Sequence, residues 1–133
     1  NIILIIPDRM VDISSAYNIA LETDSFKVHN DFLNILLEDH SVMGMERHYV
    51  YFNESNNSDL KRILGNGFLK RGDEGVSFLL KKLNSEIDNL IKSNVIHIIG
   101  LTHDRRYLPS IIPFLKNEDP KFPNKTFFNH FKY

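Results

Sequence analysis

The run Val95-Ile96-His97-Ile98-Ile99-Gly100-Leu101 most limits what this chain can fold into. It is short, apolar and rich in β-branched side chains, and it reads as a strand buried on both faces. Thr102-His103-Asp104 then turn the chain, and Tyr107, Leu108, Ile111 and Ile112 recur at the spacing of one helix face. Open α/β sheets place their chemistry where a buried parallel strand ends, which makes Asp104 the first candidate site residue. The plainer role for Asp104 is N-cap of the following helix, a position that Asp also favours.

Read in order, the chain alternates between the two periodicities. Ile2 to Ile6 is a second apolar run, closed by Pro7-Asp8, so Asp8 stands to its strand as Asp104 does to the Val95 run. Ser14 to Leu21 reads as a helix, and Asn30-Asp31 as the cap of another that carries Phe32, Leu33, Leu36 and Leu37. Arg47 to Phe52 has the aromatic and β-branched content of a strand. Asn53 to Asn57 is a loop, with Ser58 as cap of a helix over 59–64. Gly65, Gly67 and Gly72 leave room for a short strand at Phe68-Leu69. From Val76 to about Ser93 the stripe Val76, Leu79, Leu80, Leu83, Ile87, Leu90 and Ile91 predicts one long helix. After Lys116 two prolines break the pattern, and the segment from Thr126 to Tyr133 is aromatic and basic. Strands alternating with helices predict a three-layer α/β/α domain around a mainly parallel sheet.

Composition narrows the function classes. With 133 residues the expected architecture is a single domain over 1–133 with a real core. The first residue is not Met, so the chain is expected to be part of a longer one. A net charge of −1 offers no global basic field for nucleic acid. There are no cysteines, which excludes disulfides and thiol chemistry and suits a reducing, cytoplasmic setting. No apolar run approaches the roughly 20 residues that span a bilayer, so no membrane contact is expected.

Asp8 and Asp104 would meet at one crevice if their strands were neighbours, with Asp73-Glu74 close by. Carboxylates converging there would make an oxygen-ligand site for Mg²⁺ or Mn²⁺, able to activate water and hold a phosphodiester. His103 beside Asp104 could shuttle a proton. Lys70-Arg71 and Arg105-Arg106 are candidate phosphate contacts, Arg being suited to that geometry. No zinc-type His spacing, nucleophile elbow, P-loop or dinucleotide fingerprint is present.

These segments, in this order, resemble the NYN domains, relatives of the PIN nucleases. Ile2 to Asp8 is similar to their first strand and its terminal Asp, and His48-Tyr-Val-Tyr-Phe-Asn53 to their middle strand. Gly75-Val-Ser77, or Gly72-Asp73-Glu74, stands where a Gly-Val-Asp segment belongs. Thr102-His-Asp-Arg-Arg-Tyr-Leu-Pro109 resembles the late acidic motif. The resemblance implies a metal-dependent ribonuclease, with Asp8 and Asp104 as ligands of Mg²⁺ or Mn²⁺ and Asp73 or Glu74 as a third acid. His103, Arg105, Arg106, Lys70 and Arg71 would then contact RNA. Ser77 and Arg106 stand where the family carries acids. The alternative is therefore a catalytically inactive module of the same fold that binds RNA, a nucleotide or a protein partner.

Overall fold

A computed structural model describes residues 9–115 of the chain. In chain order they form α1 (Arg9–Leu21), α2 (Phe26–Leu37), α3 (Val42–Glu54), α4 (Ser58–Lys70), α5 (Asp73–Ser85) and α6 (Asn89–Gly100). A 3-10 turn (Arg105–Tyr107) and α7 (Leu108–Leu115) follow. No strand occurs among the described residues, so the expected α/β/α sandwich is replaced by helices. The resemblance to NYN and PIN domains falls with it, because those domains are built on a central sheet. Ile2 to Ile6, Asp8 and the segment from Thr126 to Tyr133 lie outside the described residues.

Magnitudes explain why the Val95 run is helical. A β-branched residue costs a helix only some tenths of a kcal/mol relative to Ala, at most about 0.7. Burying each such side chain contributes roughly 1.5–3 kcal/mol, so the burial pattern decides. A strand would place His97 on the same face as Val95 and Ile99. Instead His97 is exposed while Val95, Ile96, Ile98 and Ile99 are all buried, which is the stripe of a helix. A short apolar run is compatible with both elements, and only its neighbours separate them. Arg47 to Phe52 is likewise part of α3. Its buried residues Met45, His48, Tyr49 and Phe52 sit at i, i+3, i+4 and i+7, and Val50 is exposed. Phe68 and Leu69, expected as a short strand, belong to α4.

The helix expected from Val76 to Ser93 is two. Glu86 takes extended backbone, and its Oε2 accepts from the N–H groups of Ile87 and Asp88 at 3.1 and 3.3 Å. Asp88 then caps α6, its Oδ1 accepting from Leu90 N at 2.8 Å and Ile91 N at 3.1 Å. Ile87, counted in the apolar stripe, is 89% exposed as a result. Three further helices start on the same device. Ser25 caps α2 and Ser41 caps α3, in place of the Asn30-Asp31 start expected for the former. Asn57 rather than Ser58 caps α4, its Oδ1 accepting from Leu60 N at 3.0 Å.

The described residues fall into two compact units, one ending at Gly67 and the other beginning at Phe68. In the first, α1, α2, α3 and most of α4 bury Tyr17, Phe32, Leu33, Leu36, Phe52, Leu60 and Leu64. Two histidines are fully buried there, each with Nε2 against backbone carbonyls, while His29 Nδ1 is buried without a partner. His48 Nε2 faces Leu64 O at 2.7 Å, and His29 Nε2 lies between Ala20 O and Thr23 O at 3.1 and 2.7 Å. A carbonyl only accepts, so in each ring Nε2 carries the proton.

The second unit holds the sequence-predicted site residues other than Asp8. Its core is Phe68, Val76, Leu79, Leu83, Val95, Ile96, Ile99 and Ile111. The rings of Phe68 and Phe78 stack with centroids 6.1 Å apart. Gly75 lets the first turn of α5 close onto the end of α4, since a Cβ there would collide with the Phe68 carbonyl oxygen. Gly72 makes the tight turn between those helices at φ 73 and ψ −151, a region open essentially to glycine alone. In α7, Pro109 sits in the first turn, where a missing N–H is tolerated, whereas Pro113 lies further in and leaves the Pro109 carbonyl without its helical donor.

Candidate functional site

The site forms where α6 ends and the chain returns past the start of α5. Leu101 closes α6, and the Thr102 hydroxyl donates to Ile99 O at 2.7 Å while accepting from Asp104 N at 3.1 Å. His103 takes the left-handed conformation, φ 55, and points the chain back. Asp104 starts the 3-10 turn as its cap, accepting from Arg106 N at 3.0 Å. The capping role, the plainer reading of Asp104 in the sequence, is the one the backbone requires.

Arg106 grips the same carboxylate from the side. Its Nε lies 3.1 and 2.9 Å from Asp104 Oδ1 and Oδ2, and its Nη2 lies 2.6 Å from Oδ2. The same Nη2 is 3.5 Å from Asp73 Oδ1, which also accepts the Tyr107 hydroxyl at 2.8 Å. One guanidinium thus serves two carboxylates that are 31 residues apart in sequence, the difference between positions 104 and 73. Hydrogen bonds from Arg106 hold the Asp104 carboxyl below the usual aspartate range, and Asp104 in turn raises the guanidinium. Burial first, then the bond to Asp73, pushes the Tyr107 hydroxyl above an ordinary tyrosine. At neutral pH Asp104 is therefore ionised and Tyr107 is neutral.

Beside this cluster opens a cleft of about 220 Å³, lined by Leu69, Gly72, Asp73, Val76, Thr102, Asp104 and Tyr107. Leu69 and Val76 give it aliphatic walls, Tyr107 an aromatic one, and the two carboxylates an acidic rim. Counting Asp73, Asp104 and Arg106, the rim carries a net charge of −1. A second cleft, of about 540 Å³ in the first unit, is lined by Leu21, Asp24, Asn56, Asn57, Ser58 and Asp59. Its Asn57 already caps α4 and donates to Thr23 O at 3.2 Å.

Asp73 and Asp104 both line the cleft, at helix ends rather than strand ends, while the meeting of Asp8 with Asp104 on which the sequence reading rested lies outside the described residues. Glu74 is exposed in the first turn of α5, Lys70 is exposed at the end of α4, and Arg71 lies in the turn between them. His103 and Arg105 are both exposed. No group of three or more His, Asp or Glu side chains placed to hold a metal occurs among the described residues. The guanidinium of Arg106 stands between Asp73 and Asp104, where a shared cation would have to sit. Sequence reasoning passed over Gly72, Thr102 and Tyr107 as site residues. Of these, only the glycine directly before Asp73-Glu74 left a local signal, that of a turn preceding a helix.

Among the described residues no helix is long and apolar enough to cross a membrane. Comparison of the chain with family models, with curated proteins and with solved structures finds no match.

Proposed function

We propose that this chain is a non-catalytic helical binding module whose cleft at Asp73, Asp104 and Tyr107 receives part of a protein partner. The observation that carries this reading is the position of Arg106, 2.6 Å from one carboxylate and 3.5 Å from the other. Both acids are engaged by a cation of the chain itself, and the neighbouring Tyr107 holds its proton. The Thr102 hydroxyl, which lines the cleft, is engaged by Ile99 O and Asp104 N. The aliphatic and aromatic walls suit the side chain of a protein, while an RNA phosphate within the cleft would face the two carboxylates that line it. The ribonuclease reading rested on the resemblance, and the helices remove that support. A cysteine-free chain suits a reducing compartment, so the reading includes a cytoplasmic setting.

The test is a cleavage assay on single-stranded RNA with Mn²⁺ or Mg²⁺, run beside the Asp104→Asn variant. The expected result is no metal-dependent product from either protein. Cleavage that needs the metal and disappears in Asp104→Asn overturns the proposal.

A further inference from the structure

Resting on that reading, we infer that the cleft takes the side chain of an arginine from the partner, and that Arg106 competes with it as a resident stand-in. The Asp104 carboxylate is already shown to accept a guanidinium side-on, through both Nε and Nη2. That fork geometry is specific to arginine, since a lysine ammonium is a point charge without it. Asp73 Oδ1 faces the same guanidinium from the other side and is itself oriented by the Tyr107 hydroxyl.

The rest of the cleft matches the rest of an arginine. Its methylene stem can lie along Leu69 and Val76, as long basic side chains do on apolar surface. The Tyr107 ring already has the Arg106 guanidinium 5.5 Å from its centroid, within the distance at which aromatic faces attract cations. A volume of about 220 Å³ is below the roughly 300 Å³ at which pockets for drug-sized molecules begin, and suits one side chain. Access is open, because a Cβ placed at Gly72 would meet nothing within 4 Å. Arg106 is 69% exposed, so it can swing into water and leave both carboxylates to the incoming group.

The experiment titrates the ¹⁵N-labelled chain with a blocked Gly-Arg-Gly peptide and with its citrulline counterpart, which has the same shape and no charge. Binding should move the amide signals of Gly72, Asp73, Thr102 and Asp104, and the citrulline peptide should leave them unmoved. Arg106→Gln should tighten binding roughly two- to fivefold, the effect of removing one exposed competing ion pair. The double variant Asp73→Asn with Asp104→Asn should abolish it. Asn also caps, so the turn survives, and the same spectra report folding. Equal response to the two peptides, shifts confined to other surfaces, or unchanged affinity in Arg106→Gln each overturn the inference. None of those results bears on the RNA assay, so the two proposals fail separately.

Discussion

Replacing Asp88 by Ala separates two helices that break at Asp88 from one continuous helix over 76–93 by the sign of a single free energy. If residues 76–93 were one helix, Asp88 would lie exposed in its interior. Ala would then stabilise the chain by about 0.5 kcal/mol through helix propensity. In the structure Asp88 is the N-cap of α6, and its Oδ1 accepts from Leu90 N at 2.8 Å and Ile91 N at 3.1 Å. Ala removes both acceptors and the negative charge at the positive end of the helix. Leu90 is 61% exposed, so water replaces part of what is lost, and the cost falls near the middle of the capping range, about 1 kcal/mol. The two architectures therefore differ by roughly 1.5 kcal/mol, with opposite sign. Urea unfolding followed by far-UV circular dichroism should show a lower midpoint at unchanged slope. The thermal midpoint should fall by roughly 4 °C for a chain of this size. Asp88→Ser and Asp88→Asn keep a capping oxygen and should stay close to the parent. An Asp88→Ala variant as stable as the parent, or more so, would refute the break between α5 and α6.

Gly72→Ala should cost about 1–3 kcal/mol by equilibrium unfolding, wholly from the backbone, because the added methyl touches nothing while φ 73 and ψ −151 are closed to it. Equal stability would show that the turn relaxes. Gly75→Ala should be more damaging than Gly44→Ala, since the former drives a methyl into the Phe68 carbonyl, whereas the latter meets the Asp39 side chain, whose carboxyl can rotate away and whose Cβ, 2.7 Å off, must shift. The reverse order in denaturant midpoints would contradict the packing of α5 on α4. Leu79→Ala should cost roughly 2–5 kcal/mol, and Ile87→Ser should stay within about 0.5 kcal/mol of the parent. Leu79 is fully buried and Ile87 is 89% exposed, so similar losses would sink the core assignment. The lowered Asp104 pKa means its ion pair stabilises the fold above the usual aspartate value and loses that effect as pH falls through the lowered one. The stability difference between the parent and Arg106→Gln should accordingly shrink in acid, and a difference that stays undiminished as Asp104 is protonated would be at odds with that pair.

Much of the core was legible from spacing alone. Phe32, Leu33 and Leu36 in α2, Val76, Leu79 and Leu83 in α5, and Ile111 in α7 are buried as their periodicity predicts. Spacings of three and four residues such as these are what a helix turns toward one side. The Val95 run is too short to state its own period, and its β-branched content biased the reading toward a strand. The signal that would have corrected it was Asp88, a capping residue ahead of an apolar stripe that begins at Ile91. The buried histidines were legible least, because nothing local says that a ring will find a carbonyl in the middle of another helix, as His48 finds Leu64 O.

For the site, the amino-acid order by itself determined the turn. Asp104 two residues before Arg106 places a carboxylate within reach of both the backbone N–H and the guanidinium of the same residue once the chain turns there. Local contacts of this kind depend on few dihedral angles, so a sequence can specify them without reference to the fold. Only tertiary structure decided that Asp73 would join them, through the Tyr107 hydroxyl and Arg106, and that a cleft would remain alongside. That meeting depends on how α5 and α6 pack, on Gly75 clearing the end of α4, and on where each helix stops. Those are consequences of many weak apolar contacts acting together, and no short stretch of residues encodes them.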